Sequence, residues 1–199
     1  MSSLSNDGRM QAEEDMERVL WSPTDIEKRV VELGASISHD FSHSLPLIVI
    51  AVATGAFMFA ADLVRKISLP ISIEFIRVQS YGNRTESSGV AVISTELQID
   101  IIDKHVLVIE DIIDTGTTLS RLVSYLKEKG AASVSVCALL DKVLRRKIPL
   151  QLPPGSRFYR GFECPDDFVV GYGMDFAEEY RNLPYIGLLK PAKYSAVSD

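Results

Sequence analysis

Apolar positions along this chain switch between two periods, and each switch marks an element. Ile26, Val30, Leu33, Ile37 and Phe41 recur at intervals of three or four, the spacing of one helix face. Ser22-Pro23-Thr24-Asp25 precedes them: a capping hydroxyl, a proline at the first helical position and an acid three residues after the cap. Leu47 to Ala53 is a continuous apolar run rich in β-branched residues, as expected of a strand buried on both faces. It ends at Thr54-Gly55-Ala56, and Phe57 to Ile67 reads as a helix. Ile71 to Gln79 and Val90 to Ser94 read as strands, joined by the polar stretch Ser80 to Gly89. Met16 to Leu20 is short and strand-like, and Ser133 to Leu140 is a longer apolar strand. Beyond the break Leu152-Pro153-Pro154-Gly155 come short β-rich pieces at 158–162 and 168–170, a last strand at 185–189, and a tail from Lys190 that reads as irregular.

The clearest change of period lies at residues 106–118. The apolar run Val106-Leu107-Val108-Ile109 leads straight into Glu110 and Asp111, then Ile112, Ile113, Asp114 and the turn Thr115-Gly116-Thr117-Thr118. Leu119, Leu122, Val123 and Leu126 then fall on one helix face, which stops at Lys127, Lys129 and Gly130. The order is strand, acidic edge, turn, helix, and ligands of α/β proteins sit at the carboxyl ends of parallel strands. Gly116 lets the backbone approach a ligand, and three threonines offer hydroxyls. The first amides of the helix point outward with the positive end of its dipole behind them, so a phosphate fits the turn. The spacing and the missing lysine set this loop apart from a P-loop. Adjacent carboxylates need a positive partner or a set of donors; ribose hydroxyls supply the second and a magnesium ion the first. Asp114 is the candidate for proton transfer. Asp114-Thr115-Gly116 also spells an aspartic-protease triplet, but that loop does not open a helix and the chain holds only one such triplet.

Composition narrows the class. The chain has 199 residues, 46% of them hydrophobic, enough for one domain with a small appendage. A net charge of −6 argues against a nucleic-acid surface. No run of 18 apolar residues marks a membrane span, and the acidic N-terminal residues Asp7, Glu13, Glu14, Asp15 and Glu17 argue against a transit peptide. Cys137 and Cys164 are far apart; Cys137 reads as a small core residue, and no disulfide or zinc spacing exists. A cytoplasmic enzyme fits. His39 and His43 read as surface groups complementing the end of the first helix.

The stretch Val108 to Leu119 resembles the phosphoribosyl-pyrophosphate loop of the purine phosphoribosyltransferases, and within them those acting on hypoxanthine or on hypoxanthine and guanine. The resemblance runs from about Met16 to about Tyr194, with its motifs in the family's order. It implies the type I phosphoribosyltransferase fold: a mostly parallel sheet flanked by helices, with a small hood. One domain is expected, with residues 1–13 loose and the hood built from the N-terminal segment and about 151–185. It further implies magnesium-dependent transfer of a phosphoribosyl group from phosphoribosyl pyrophosphate to a 6-oxopurine, in the service of purine salvage, by a homodimer or homotetramer.

The resemblance also assigns roles. Glu110 and Asp111 would hold the ribose hydroxyls and help fix magnesium together with Asp175. Asp114 would take the proton from N7 of the base, and Thr115, Gly116, Thr117 and Thr118 would hold the 5′-phosphate. Thr54 and Gly55 fall on the pyrophosphate loop, with a non-proline cis peptide implied at Ala53–Thr54. Family members often carry Lys-Gly there; with threonine, binding rests on backbone amides and a hydroxyl. Ser80 and Tyr81 match the dipeptide that begins a mobile lid, and Arg181 matches an arginine contacting pyrophosphate. Lys142 would donate to the 6-oxo group, Phe168 would stack on the base, and the main chain of Val169 would read its edge. Two rivals share the pattern: transfer to another base such as xanthine, orotate or adenine, and a non-catalytic nucleotide-binding regulator of the same fold.

Overall fold

A computed structural model of the chain describes residues 12–43, 46–81, 90–94 and 97–195. They fall into two compact units, residues 29–166 and a smaller one made from 1–28 and 167–199.

The larger unit is built on a six-stranded sheet. Its strands are β2 (Leu47–Ala53), β3 (Ile71–Tyr81), β4 (Val90–Ile93), β5 (His105–Ile113), β6 (Ser133–Asp141) and β7 (Phe158–Glu163). The order across the sheet is β4-β3-β2-β5-β6-β7. Five strands run parallel, and β4 pairs antiparallel with β3 at the edge. Helices α1 (Pro23–Asp40), α2 (Phe57–Val64) and α3 (Thr117–Glu128) flank it. The central strands show why unbroken apolar runs form here: every residue of β6 is buried, and Leu47 to Val52 of β2 are buried. A strand covered on both faces has no polar side to alternate with. Leu119, Leu122, Val123 and Leu126 of α3 join Ile50, Val108, Val136 and their neighbours in one core. Cys137 lies fully buried in β6, where burial pushes its thiol up; it is a free cysteine of the core.

The start of α1 is set by the expected box. Ser22 Oγ accepts from the Asp25 amide at 3.2 Å, and the Asp25 carboxylate accepts from the Ser22 amide at 3.0 Å. Helix α2 stops at Val64, three residues short of the expected Ile67, where the Lys66 and Ile67 amides close tighter turns onto Leu63 and Val64.

The smaller unit is an antiparallel three-stranded sheet, β1 (Met16–Trp21), β9 (Ile186–Leu189) and β8 (Val169–Val170), in the order β1-β9-β8. It has its own apolar cluster of Met16, Val170, Leu183 and Leu189. Two expectations are corrected. Residues 151–166 belong to the larger unit, because Phe158–Glu163 adds to the main sheet beside β6. The tail forms a short helix, α4 (Pro191–Tyr194), since Pro191 at its first turn has the right fixed dihedral. Strand β3 also outlasts its apolar pattern: Ser80 and Tyr81 pair with Ala91 and Val90. The expected lid beyond them, 82–89, lies outside the described residues, as do residues 1–11 of the expected loose tail. No helix among the described residues is long and apolar enough to cross a membrane.

Candidate active site

The strand order fixes where a ligand can enter. From β2 the chain moves outward to β3, and from β5 it moves outward the other way to β6. The two halves diverge between β2 and β5, and such a reversal leaves a crevice at the carboxyl ends of the strands. Three junctions converge there: β2 running into Thr54-Gly55, β5 carrying Glu110 and Asp111 into the threonine turn, and β6 ending at Asp141-Lys142.

Gly55 and Asp111 meet across the crevice. A Cβ at residue 55 would stand 1.7 Å from Asp111 Oδ2, so only glycine leaves room for the carboxylate. The Ala53–Thr54 peptide before it is cis, at the expected place. Thr54 is exposed, and its carbonyl accepts the Phe57 amide at 3.1 Å, which closes the turn into α2.

Glu110 is a buried carboxyl at the end of β5. It is 8% exposed, and its Oε2 is shielded from solvent without a hydrogen-bond partner. Burial first, and then the adjacent Asp111 charge, push it well above the ordinary carboxylate range. An orphaned buried oxygen beside a second carboxylate needs a donor or a cation. Magnesium usually takes one or two protein carboxylates and fills its remaining positions with substrate phosphates and water, so this pair fits it. Among the described residues no group of three His, Cys, Asp or Glu side chains forms a metal cage.

Next comes the anion turn. Gly116 caps α3 in the left-handed region at φ +84°, and no side chain caps the helix. The Thr115 and Thr117 hydroxyls lie 3.1 Å apart. The Ser120 amide donates to Gly116 O at 2.9 Å, the first helical bond, and the Thr117 amide donates to Thr115 Oγ1 at 3.4 Å, which leaves the Thr118 and Leu119 amides for a ligand. A strap formed by residues 142–148 supports the turn from behind. The amides of Lys147 and Ile148 both donate to Thr115 O, at 3.0 and 3.1 Å, and the Lys142 amide donates to Ile113 O at 2.9 Å.

The strap carries a residue that pattern reading missed. Arg145 Nε lies 2.9 Å from Asp114 Oδ1, and its Nη1 lies 3.2 Å from Asp166 Oδ1. The only hint in the sequence is the basic run Arg145-Arg146-Lys147 after Lys142. Arg146 ion-pairs with buried Asp141, which Arg160 also approaches at 3.6 Å. Lys142 is itself buried, at 7% exposure, at the carboxyl end of β6.

The remaining expected site residues, Phe168, Val169, Asp175 and Arg181, belong to the smaller unit. Val169 is buried and pairs with Leu188. Phe168 is 37% exposed; it stacks on Tyr194 and meets Phe176 edge-on. Asp175 Oδ1 lies 2.9 Å from Arg181 Nη2, and its Oδ2 accepts the Glu178 amide at 2.9 Å. Arg181 is pinned further, its Nη1 donating to Gly173 O at 2.9 Å. The side chains of Ser80 and Tyr81 lie outside the described residues.

Known proteins are similar to this chain in sequence and fold. The family model of the phosphoribosyl transferase domain matches residues 24–177. A hypoxanthine-guanine phosphoribosyltransferase of Bacillus subtilis is 46% identical over 92% of this chain and 98% of its own length. One from Staphylococcus aureus is 42% identical over 91% of this chain and 98% of its own length. A crystal structure of a hypoxanthine phosphoribosyltransferase from Staphylococcus aureus superposes with a TM-score of 0.85 at 40% identity, covering 96% of this chain and 99% of that one. With the paired carboxylates at the sheet reversal and a threonine turn opening α3, these likenesses establish that the chain belongs to the phosphoribosyltransferase family.

Proposed function

We propose that this enzyme transfers the 5-phosphoribosyl group of phosphoribosyl pyrophosphate to N9 of hypoxanthine, with guanine as a second acceptor, releasing pyrophosphate in purine salvage. One observation carries the reading. A buried carboxylate with an orphaned oxygen stands beside a second acid, directly before an uncapped threonine-lined helix start. Its relatives named above act on these bases by name, which supports the choice of acceptor.

The residues divide the work by chemistry. Glu110 and Asp111 receive the two ribose hydroxyls, whose donors satisfy the carboxylate oxygens. Thr115 to Thr118 hold the 5′-phosphate through hydroxyls and the free amides of α3. Thr54 and Gly55 receive the pyrophosphate, with Arg181 as a further contact and Ser80 and Tyr81 at the base of the lid. Glu110 and Asp111, with Asp175, are the residues to hold magnesium, which when bound neutralises charge on the departing pyrophosphate. The sugar passes through an oxocarbenium-like state, so catalysis is chiefly positioning and charge compensation. Asp114 accepts the N7 proton as the base attacks. Phe168 stacks on the purine and the Val169 main chain reads its edge. Lys142 donates to the 6-oxo group; a 6-amino group would set donor against donor, so adenine is rejected. The enzyme works in the cytoplasm as a homodimer or homotetramer.

The test is incubation with phosphoribosyl pyrophosphate, magnesium and each of hypoxanthine, guanine, xanthine, adenine and orotate. Pyrophosphate release with hypoxanthine and guanine is expected. Release with one of the others alone would move the acceptor. A chain that binds inosine monophosphate yet turns over no base would be a regulator.

A further inference from the structure

We infer that Tyr194, on the C-terminal helix, is a positioning residue for the purine: it fixes the ring of Phe168 so that one face stays open to the base. The inference rests on the proposed role of Phe168. The ring sits just before β8 and is held on two sides. Tyr194 lies against it with centroids 5.3 Å apart and planes inclined by 26°, and Phe176 meets it at 5.3 Å and 87°. A stacked partner and an edge-on partner together leave a phenyl ring little freedom in either side-chain torsion. The backbone is fixed as well, the Leu189 amide donating to Phe168 O at 2.9 Å. Yet Phe168 remains 37% exposed. Tyr194 stacks against the ring from one side, and the part of Phe168 that stays exposed is the surface to which a planar heterocycle can add.

Tyr194 does not hold this place by helix propensity. Helix α4 spans four residues and lacks a side-chain cap, too short to form alone. Its anchor is the N-terminal segment. The Lys190 amide donates to Asp15 O at 3.0 Å, the Lys190 ammonium donates to the Glu14 carbonyl, and Lys193 Nζ lies 2.7 Å from Asp15 Oδ1. The other Asp15 oxygen accepts the Tyr180 hydroxyl at 2.8 Å. A nearly buried carboxylate thus ties both ends of the chain to the back of Phe168. The two ends thereby become part of base recognition although neither carries a reacting group.

The experiment is steady-state kinetics on the full chain with magnesium, titrating hypoxanthine at saturating phosphoribosyl pyrophosphate and then the reverse. Tyr194→Leu keeps apolar cover but loses the flat partner. It is expected to raise KM for hypoxanthine about three- to tenfold, leaving kcat and KM for phosphoribosyl pyrophosphate within about twofold. Tyr194→Phe should match the parent. Should Tyr194→Leu fail to fold by circular dichroism, Lys193→Gln replaces it with the same expectation, since it frees α4 without touching the ring. An unchanged base KM, a Phe variant as impaired as the Leu variant, or a joint change in both KM values and kcat would each overturn the inference. Phe168→Ala separates it from the reading beneath. If that variant raises the base KM while Tyr194→Leu does not, only the role of Tyr194 falls. If Phe168→Ala changes nothing, the assignment of Phe168 falls and takes this one with it.

Discussion

Glu110 illustrates how a site residue works against the fold that holds it. Its carboxyl is pushed well above the ordinary value of 4.5, by burial and then by Asp111. A raised pKa means that its contribution to stability is full below 4.5 and is lost as pH climbs through the folded value. Glu110→Gln imitates the protonated form at every pH. The ligand-free variant should therefore melt about 3 °C higher than the parent at pH 8, the difference vanishing near pH 4, while turnover collapses. Differential scanning calorimetry across that range decides it; a variant that melts lower at pH 8 would show that Glu110 supports the fold. Asp114 poses a different question. Asp114→Asn keeps shape but cannot take a proton, so kcat should fall about 100-fold or more while affinity for inosine monophosphate changes less than about threefold. Equal losses in both would reduce Asp114 to a binding group held by Arg145.

At the scale of elements, the β5–turn–α3 junction depends on the strap that follows β6. A Cβ at residue 116 would stand 2.7 Å from Ile148 O, and Gly116 already needs φ +84°. Gly116→Ala therefore carries both a dihedral penalty and a push against the strap. At Gly155 a Cβ would meet nothing within 4 Å at φ +76°, so Gly155→Ala carries the dihedral penalty alone. Urea unfolding should show Gly155→Ala losing about 1 kcal/mol and Gly116→Ala about 2 kcal/mol or more. Only Gly116→Ala should raise KM for phosphoribosyl pyrophosphate, by about tenfold. Equal losses at the two glycines would mean that the strap yields freely. The junction itself was legible in the sequence, because a change from continuous apolar residues to a three-and-four spacing is local information, and so is the Thr-Gly turn between them. The strap was not. Lys147 and Ile148 reach Thr115, and Arg145 reaches Asp114, through contacts between stretches that no periodicity links. The same limit hid the place of Phe158–Glu163, whose short mixed pattern does not say which sheet it joins, and the ordering of Pro191–Tyr194 by Asp15.

Across the whole molecule each unit contains an Asp–Tyr pair, and both make stability depend on pH. In the smaller unit the Tyr180 hydroxyl donates to Asp15, and in the larger the Tyr159 hydroxyl donates to Asp40 at 2.9 Å. Burial works against both ionised acids. Hydrogen bonds from Lys193 and Tyr180 outweigh it at Asp15, and those from His39 and Tyr159 at Asp40, so both carboxyls end below 3.8. A lowered pKa gives stability that is present above the unfolded value and lost as pH falls through the folded one. The tyrosines mirror this. Burial, then the hydrogen bond to Asp15, pushes Tyr180 up to about 12, and burial with Asp40 raises Tyr159 too. Their contribution is present below the ordinary value of 10.0 and lost as pH rises through the folded values. The contribution of these two pairs should thus hold between about pH 5 and 9, falling below about 4 and above about 10. Glu110 has the opposite sign on the acid side, since acidification relieves its buried charge. The carboxylate effect is therefore read in the Glu110→Gln background, where that opposing contribution is gone. There, Asp15→Asn combined with Asp40→Asn should lower the urea midpoint at pH 7 and flatten its fall between pH 4 and 3. If the acid limb keeps its slope without both aspartates, the pH limit of this fold lies in other groups.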